Sequence, residues 1–567
     1  MKYLGIAASA GIGIGQIVKI EEHSIEYEAR NVEDTQAELE RYAKAVERFC
    51  EKTLQMSAQV RKRVGEKEAE ILEGHNVMLE GMQDNIEDAI RDGSCAEAAV
   101  DMTCDFFISV FLSAPEELTR QRAADVKDIK TRMLKILLGI EDVDISGVEP
   151  GTVILAKELT PSMTAGIIKD NVAGIITEQG GITSHSAILA RALEIPAVLS
   201  MKSAFEMLED KQTVIVDGTN GEVIVAPTDE DIDLYTVRRR EYLEAKKALG
   251  KYIGRSTQTA EGRCFELVAN IGNPNDVKQV LENDAEGVGL FRTEFLFMDR
   301  DKMPDEEEQF EAYKKVAVDL KGRPVIVRTL DVGGDKQIPY FEMPKEENPF
   351  MGYRAVRFCL DKASEVYRPQ LRALLRASAY GNIKIMVPMV TCVDELRAVK
   401  KILSEIMDEL EREDIPFNRN IEVGVMIETP AAVLIADILA TEADFFSIGT
   451  NDLIGYTMAA DRGNSKVSYL YSQYNPAVLR AIEHVIACAK NENVPVGMCG
   501  EAAADPSLIP LWISFGLTEF SVNPASVLRT RKIISEWTTA KANEISLAVM
   551  NAQTRDEVVE ILKNAEN

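Results

Sequence analysis

The spacing of hydrophobic residues divides the chain into segments that predict different kinds of structure. Between residues 31 and 142, apolar side chains recur at intervals of three and four, as at Leu39, Ala43 and Val46. This period places apolar residues on one face of an α-helix, and no proline interrupts it before Pro115. The segment is therefore expected to form a helical domain of four or five helices.

Short β-rich runs lie on both sides of this helical segment. Residues 1–22 contain such runs, and residues 145–228 contain several more, separated by turns. One compact α/β domain built from both stretches, with a helical domain of residues 30–143 inserted into it, is the simplest explanation. The densely charged stretch 229–256 has apolar residues at a loose helical period and is expected to be a linking helix.

Between residues 258 and 567, apolar strands alternate with amphipathic helices. Eight such repeats over about 300 residues are typical of a (β/α)₈ barrel, with a doubly wound open sheet as the alternative. The strands are expected at residues 267–270, 287–291, 325–328, 383–387, 423–427, 445–448, 494–498 and 519–522. The pattern as a whole predicts a multidomain α/β protein that ends in a TIM-type barrel.

Charge and cysteine content narrow the range of functions. The 64 Lys and Arg against 93 Asp and Glu give a net charge of −29, which would repel nucleic acids and anionic membrane surfaces. Residues 431–440 form one of the most apolar runs, but they contain Asp437 and are about half of the roughly 20 residues that a membrane span needs. The eight cysteines form no CxxC pair, which is typical of a protein of the reducing cytoplasm. We therefore expect a cytoplasmic protein that neither binds nucleic acid nor inserts into a membrane.

The helical segment is itself acidic. Residues 31–142 contain 15 Lys and Arg against 24 Asp and Glu, a balance that would suit a basic protein partner. An ordinary solvated helical surface explains this charge equally well.

Polar side chains stand at the ends of nearly all the predicted barrel strands. The carboxyl ends of parallel strands meet at one face of a barrel, where catalytic residues lie. Glu428 and Asp452, on neighbouring strands, are the kind of carboxylate set that Mg²⁺ uses. Arginine side chains there and in nearby loops offer planar donor forks suited to phosphate and carboxylate oxygens. These arginines are Arg292, Arg328, Arg354 and Arg462. A small phosphorylated carboxylate fits both groups, although a structural ion pair is the alternative for any single pair.

His185 lies in a second polar constellation, the turn at residues 179–191. Glycines and hydroxyl residues follow a predicted strand there, and a helix-forming run begins directly afterwards. His185 is therefore expected at a helix N-terminus, where free backbone N–H groups and the helix dipole favour an attached phosphoryl group. A lone histidine is more often structural, but in this setting the nucleophile is the favoured interpretation.

Seven motifs, in their order along the chain, resemble those of Enzyme I of the bacterial phosphoenolpyruvate (PEP):sugar phosphotransferase system. They are GGITSHSAILAR, GVGLFRTEFLFMDRD, RTLDVGGDK, NPFMGYRAVR, MIETPAAV, FFSIGTNDLIGYTMAADRGN and VPVGMCGE. The resemblance covers nearly the whole chain. It implies that His185 is phosphorylated, that Glu428 and Asp452 bind Mg²⁺, and that Cys499 donates a proton. It also implies that PEP is bound by Arg292, Arg328, Arg354, Asn451, Asp452 and Arg462.

The resemblance also carries expectations about domains and partners. The α/β domain would be a phosphohistidine domain, and the linking helix would let His185 move between PEP and a carrier. The carrier would be HPr, the histidine-containing phosphocarrier protein, docking on the helical domain, in the first step of PEP-dependent sugar uptake. The barrel would bind PEP and form a homodimer.

Related enzymes and a regulatory protein are the alternative interpretations of the same motifs. Pyruvate phosphate dikinase and PEP synthase share the phosphohistidine and barrel motifs, but an ATP-binding domain precedes the histidine domain there, and His185 comes too early for one. A regulatory protein that only senses PEP or HPr would not need His185, Cys499 and the two carboxylates. A paralogue of HPr that serves nitrogen regulation is a second possible carrier, and the lack of an additional N-terminal sensory domain favours the sugar system.

Overall fold

The computed structural model describes the whole chain except residues 21–24, 64–65, 114–116, 141–144, 165, 182–183, 299, 301, 335–337, 339, 342, 462–463, 465 and 567. The described chain forms two compact units, residues 1–247 and residues 248–567. The first unit contains a mixed sheet and a set of long helices, and the second contains a closed parallel barrel. The fold class expected from the sequence is therefore confirmed.

The sheet of the first unit is assembled from strands on both sides of the helical segment. Its strands are β1 (Lys2–Leu4), β2 (Ile6–Ser9), β3 (Ile12–Ile20), β4 (Thr152–Ala156), β5 (Val172–Thr177), β6 (Ala197–Leu199), β7 (Thr213–Asp217) and β8 (Glu222–Val225). They lie in the order β1-β8-β7-β3-β4-β5-β6-β2. Strand β3 pairs in parallel with β4 across the insertion, and antiparallel with β7. Strands from both sides of the inserted helical segment thus pair within one sheet.

The inserted segment contains long amphipathic helices that share an apolar core. These helices are α1 (Thr35–Arg63), α2 (Glu66–Arg91), α3 (Ala96–Ser113) and α4 (Glu117–Leu138). Phe49 of α1, Ile86 of α2 and Ile129 of α4 are fully buried in this core. Shorter helices, which accompany the sheet, are α5 (Pro161–Thr164), α6 (His185–Ala192) and α7 (Ala204–Met207). The charged helix α8 (Asp229–Leu249) follows strand β8.

The second unit is a closed barrel of eight parallel strands in its described residues. The strands are β9 (Glu266–Ile271), β10 (Val288–Arg292), β11 (Val325–Arg328), β12 (Ile383–Val387), β13 (Val423–Ile427), β14 (Phe446–Ile448), β15 (Val496–Met498) and β16 (Glu519–Val522). Each strand pairs in parallel with its successor, and β16 pairs with β9 to close the barrel. All eight carboxyl ends consequently face the same way.

The helices of the second unit follow the strands in the chain. They are α9 (Val277–Glu282), α10 (Glu294–Phe297), α11 (Glu306–Asp319), α12 (Val356–Asp361), α13 (Arg368–Ala377), α14 (Val393–Arg412), α15 (Pro430–Leu434), α16 (Ala436–Ala440), α17 (Thr450–Met458), α18 (Pro476–Asn491), α19 (Ile509–Phe515), α20 (Val527–Glu536), α21 (Thr539–Asn551) and α22 (Arg555–Glu566). Strand residues that face these helices join one large apolar core, and alternate residues fill the barrel interior. The interior is therefore a packed core with its polar positions at the two ends.

The amino end of the barrel contains a buried carboxyl group, that of Glu519. Glu519 begins β16, pairs in register with Glu266 of β9, and is 8% exposed. Its Oε1 atom has no hydrogen-bond partner among the described residues. Burial, together with the nearby Glu266 carboxylate, raises the pKa of Glu519 to about 8, although Lys384 opposes the shift. The folded barrel therefore favours the protonated form of this side chain.

The substitution Glu519→Gln should stabilise the barrel more at pH 9 than at pH 5. The pKa of Glu519 is about 8 in the folded chain and about 4.3 for an unperturbed glutamate, so its contribution to stability is lost as pH rises through this window. Glutamine stays neutral, so its advantage should grow by on the order of 4 kcal/mol between pH 5 and pH 9. Thermal unfolding at both pH values measures this difference.

The matched control is Glu560→Gln, which changes an exposed glutamate on α22. It should shift the melting temperature by a similar small amount at both pH values. An equal effect of Glu519→Gln at pH 5 and pH 9 would contradict the proposed ionisation.

Candidate active site

A polar cavity of about 170 Å³ opens where several barrel strands end. Leu290, Phe295 and Met426 supply apolar wall, and charged or polar side chains supply the rest. The cavity brings together most of the barrel residues predicted from the sequence, namely Arg292, Arg328, Arg354, Glu428, Asn451, Asp452 and Cys499. Arg462 lies outside the described residues.

Arg328 ends strand β11 and is almost completely buried, with 5% of its surface exposed. Its Nη2 atom lies 2.6 Å from Oε1 of Glu294 and 3.2 Å from Oδ2 of Asp331. Glu294 is the first residue of α10, and Asp331 follows β11 after two residues. A guanidinium group with two carboxylate partners can be buried because its charge and several of its donors are satisfied.

Arg354 extends this ion-pair network to the other side of the cavity. It donates from Nε to Oδ1 of Asp331 over 3.0 Å, and from Nη2 to Oδ2 of Asp452 over 3.0 Å. Its Nη1 donates to the hydroxyl of Tyr456 over 3.1 Å. Asp331 is thus shared by two buried arginines, and the network holds residues from three strand ends in fixed positions.

The double glycine of the RTLDVGGDK motif makes room for Arg354. Gly333 has a φ of +110°, and a Cβ at this position would lie 3.0 Å from Cα of Arg354. A side chain here would be both strained in the backbone and crowded against Arg354. The glycine therefore allows the Asp331 loop to approach the arginine closely.

Glu428 follows strand β13 and is 1% exposed. Its Oε1 atom accepts a hydrogen bond of 2.7 Å from the backbone N–H of Met389. Its Oε2 atom faces Gly449, where a Cβ would lie only 2.7 Å away. Burial and the neighbouring carboxylates of Asp452 and Asp331 raise the pKa of Glu428 well above its ordinary value. A cation beside Glu428 would relieve this unfavourable environment.

The carboxylates of the cavity fit a magnesium ion that shares its coordination with substrate. Among the described residues, no group of three or more His, Cys, Asp or Glu side chains is arranged to hold a metal alone. Mg²⁺ is commonly bound by one or two carboxylates, with water and substrate phosphate oxygens at the remaining positions. Glu428 and Asp452 line the same cavity and supply a ligand set of this kind.

Cys499 lies directly after strand β15 and is 4% exposed. Its backbone N–H donates to the carbonyl of Ile448 over 3.1 Å, and its Sγ atom lies 3.7 Å from the same oxygen. Burial raises the pKa of Cys499 to about 11, although Ser447 and Arg328 act in the opposite direction. The thiol consequently holds its proton at neutral pH and can act as an acid.

Asn451 lies in the first turn of α17, next to Asp452. Its Oδ1 atom accepts a hydrogen bond of 3.4 Å from the backbone N–H of Glu501, which follows Cys499 and Gly500. A Cβ at Gly500 would lie 1.7 Å from Oγ1 of Thr450, so only glycine permits this close approach. Asn451 thereby connects the end of β14 to the loop that carries Cys499.

His185 is the first residue of α6, as the sequence predicts, and belongs to the first compact unit. Ser184 is the N-cap residue: its Oγ accepts from the N–H of Ala187 over 3.4 Å and donates to the carbonyl of Gly181 over 2.8 Å. The hydroxyl of Ser200 donates to the carbonyl of Gly180 over 2.6 Å. These bonds hold Gly180, Gly181 and Ser184 ahead of the helix N-terminus at which His185 lies.

Tyr456 and Asn270 are residues of the site that were not predicted from the sequence. Tyr456 lies one helical turn after Asp452, so the two side chains share a face of α17 and both contact Arg354. Asn270 is a polar residue near the end of the otherwise apolar strand β9, and its side chain contacts Cys499. For Asn270, the sequence signal was a polar residue at the end of an apolar strand.

Comparison with known proteins assigns the chain to the enzymes that use PEP. The family model described as the PEP-binding domain of PEP-utilising enzymes matches residues 246–539. The models for the mobile domain and the N-terminal domain of the same enzymes match residues 148–221 and 4–122. The class of the protein is thus defined along most of the chain.

Individual relatives narrow this class to one family. The chain is 45% identical to the phosphoenolpyruvate-protein phosphotransferase of Priestia megaterium and 45% identical to that of Bacillus subtilis, over 99% of this chain and 98% of each relative. It is 46% identical to that of Geobacillus stearothermophilus, over 99% of this chain and 97% of the relative. The chain belongs to the phosphoenolpyruvate-protein phosphotransferase family, and it is a PEP-dependent phosphotransferase. The motif resemblance is thereby confirmed.

The described helices also differ in hydropathy from membrane-spanning segments. Within the described residues, no helix combines the length and apolar character required to cross a membrane.

Removing the shared arginine by Arg354→Ala should destabilise the barrel strongly. The substitution leaves Asp331, which is fully buried, with one cationic partner fewer, and breaking a buried ion pair typically costs about 3–5 kcal/mol. Denaturation with guanidinium chloride, followed by circular dichroism, measures the loss.

Arg397→Ala is the matched control, because Arg397 pairs with Glu442 at the surface with 58% of its side chain exposed. That substitution should change the denaturation midpoint little. Equal midpoints for the two variants would contradict a structural role of the buried network.

Proposed function

We propose that this chain transfers the phosphoryl group of PEP to His185 and then to HPr, as the first step of PEP-dependent sugar uptake. One observation carries the proposal: a cavity lined by arginines and carboxylates at the strand ends of a barrel, in a chain of the phosphoenolpyruvate-protein phosphotransferase family. The N-terminus of α6, where His185 lies, would supply a place for the phosphoryl group.

The balance of charge around the cavity supports an anionic substrate together with a metal ion. Among the residues that the structure describes, three guanidinium groups, those of Arg292, Arg328 and Arg354, face four carboxylates. The carboxylates belong to Glu294, Asp331, Glu428 and Asp452. In this described part of the site the carboxylates outnumber the guanidinium groups, so a further cation would favour the binding of a multiply charged anion. Glu428 and Asp452 are the residues that would hold Mg²⁺, which would neutralise substrate charge.

The arginines differ in how they would act on PEP. Arg328 and Arg354 are committed to buried carboxylates, so they would provide a fixed positive potential and the remaining donors of their forks. Arg292 ends β10, lines the same cavity and is only partly buried, so it would contact the substrate directly. Asn451, Asp452 and Arg462 complete the proposed PEP-binding set. Planar guanidinium groups suit both the phosphate and the carboxylate of PEP.

Phosphoryl transfer would rely mainly on positioning and on charge neutralisation. In-line attack by a ring nitrogen of neutral His185 on the phosphorus atom of PEP requires no covalent chemistry from the barrel residues. The N-terminus of α6 would stabilise the phosphoryl group on His185 through backbone N–H groups and the helix dipole. Turnover would include a movement of His185 between PEP and HPr, which the linking helix would allow.

Cys499 is the proposed proton donor for the product. After the phosphoryl group has left, the enolate oxygen forms the C2 carbonyl while C3 takes the thiol proton, which gives pyruvate and a thiolate. The raised pKa of the buried Cys499 thiol keeps the proton in place until this step. The thiolate then regains a proton from solvent.

Exposed apolar side chains support two protein contacts. Met102 and Phe106 lie one turn apart on α3 and are 56% and 61% exposed, which suits the docking of HPr on the acidic helical domain. Leu434 and Leu547 are exposed on barrel helices, which suits a homodimer through the barrel. The described cysteines are all free, in keeping with the proposed cytoplasmic location.

His185→Ala should abolish both labelling by PEP and delivery of phosphate to HPr, because one nitrogen atom serves both steps. Incubation with radiolabelled PEP, Mg²⁺ and HPr, followed by gel electrophoresis, measures both products. His484→Ala is the matched control, since His484 is an exposed histidine on α18, and it should behave as wild type. Labelling of the His185→Ala variant at any residue would contradict the proposal.

Cys499→Ala should separate phosphoryl transfer from pyruvate formation. The substitution leaves the arginines and carboxylates in place, so PEP binding and phosphate exchange between His185 and HPr should survive. Pyruvate formation should fall by the roughly 10²-fold that a positioned general acid contributes. A coupled lactate dehydrogenase assay measures this rate.

Cys104→Ala is the control for loss of a buried thiol, because Cys104 is fully buried in the helical segment. It should leave the pyruvate rate near that of wild type. A Cys499→Ala variant that forms pyruvate at the wild-type rate would remove Cys499 from the mechanism.

A further inference from the structure

The side chain of Asn270 connects the ends of three barrel strands beside the cavity. Asn270 lies near the end of β9, and its Nδ2 atom donates to the carbonyl of Ser521 on β16 over 3.3 Å. The same nitrogen donates to the carbonyl of Cys499, directly after β15, over 3.4 Å. Its Oδ1 atom accepts a 2.6 Å hydrogen bond from the hydroxyl of Ser521. Both ends of the amide are therefore used.

The bond to Cys499 supplements the backbone pairing of the barrel. In the strand order, β16 separates β15 from β9, so Asn270 reaches across an intervening strand. The registered pairing of β15 with β16 ends at Met498 and Phe520, one residue before Cys499. The carbonyl of Cys499 thus lies beyond the regular ladder, where the Asn270 amide donates to it.

Gly289 of β10, the strand on the other side of β9 from β16, leaves space for the Ser521 hydroxyl. A Cβ at Gly289 of β10 would lie 2.5 Å from Oγ of Ser521 and 2.4 Å from Cγ2 of Val268. Ser521 is fully buried, so its hydroxyl depends on Asn270 for a partner within the barrel. The three residues form a compact unit in which Gly289 leaves space, Ser521 orients Asn270, and Asn270 binds Cys499.

We propose that Asn270, oriented by Ser521, is a positioning residue that holds the Cys499 thiol toward one face of the enolate. This inference rests on the proposed role of Cys499 as proton donor. The S–H bond breaks as the C3–H bond forms, the electrons of the C2–C3 double bond form that new bond, and the enolate oxygen becomes the carbonyl of pyruvate. The hydrogen bond from Asn270 holds the carbonyl of Cys499 in place, and this fixes the direction from which the thiol proton reaches C3.

A positioning role and a purely structural role have different consequences. If Asn270 only stabilised the barrel, its loss would lower the thermal stability and reduce phosphoryl transfer and pyruvate formation together. If it positions Cys499, its loss should leave phosphoryl transfer to His185 intact and disturb only the protonation of C3. The stereochemistry of that protonation reports directly on the position of the thiol.

The test uses PEP that carries tritium stereospecifically at C3, reacted with the full-length protein and Mg²⁺ in D₂O. Two quantities are measured: phosphohistidine formed in the first turnover, and the configuration of the chiral methyl group of pyruvate. The main variant is Asn270→Asp, which can still accept from Ser521 but cannot donate to Cys499. The matched control is Asn523→Asp, because Asn523 directly follows β16 and its side chain caps the next turn by accepting from the N–H of Ala525.

Wild type and Asn523→Asp should give one methyl configuration. Asn270→Asp should form phosphohistidine normally but yield pyruvate of mixed configuration, with a protonation rate lower by about tenfold or more, part of the roughly 10²-fold effect of a positioned acid. Ser521→Ala should shift the configuration in the same direction, and it supplies the same test if Asn270→Asp does not fold.

The outcomes distinguish this inference from the proposed function. A single configuration in Asn270→Asp and in Ser521→Ala, together with mixing in Cys499→Ala, overturns the role of Asn270 and leaves that of Cys499 intact. A single configuration in Cys499→Ala overturns the proton donor itself. A parallel loss of phosphohistidine and pyruvate in the Asn270 variant shows a structural role only.

Discussion

The polar cavity of the barrel depends on ion pairs between buried guanidinium groups and carboxylates at the carboxyl ends of the strands. Arg328 and Arg354 lie almost completely inside the protein, which is tolerable only because Asp331 and its neighbours neutralise them. The same pairs fix the positions of residues from several different strands. A rigid set of positive groups is thus available before any substrate binds, which is the condition for electrostatic catalysis.

The network also explains why different side chains of the cavity would bind the metal ion and donate the proton. Asp331 and Asp452 are occupied by arginines, whereas Glu428 has a pKa raised by burial and by its neighbours. Glu428 is therefore the carboxylate that gains most from a metal ion. Cys499, by contrast, keeps its proton because it is buried among apolar groups of the barrel interior. One cavity can in this way offer both an anion-binding surface and an acid.

Much of the barrel could be predicted from the sequence, because its strands are short apolar runs between amphipathic helices. The position of His185 could also be predicted, since Ser184 and the preceding glycines are local signals of a helix start. The choice of partners in the network could not, because the bonds of Arg354 join residues that are far apart in the chain. The polar position of Asn270 at a strand end is visible in the sequence, but its bond to the backbone carbonyl of Cys499 is not, because the two residues are far apart in the chain.

The central claim is that PEP bound by the barrel phosphorylates His185 in the other unit of the same protein. The most direct test is a rapid-quench reaction of the wild-type chain with PEP and Mg²⁺, with mass-spectrometric mapping of the phosphorylated residue and measurement of pyruvate. The account predicts one phosphoryl group per chain, located on His185, and one pyruvate formed for each. Phosphate on another residue, or pyruvate released without phosphohistidine, would contradict it.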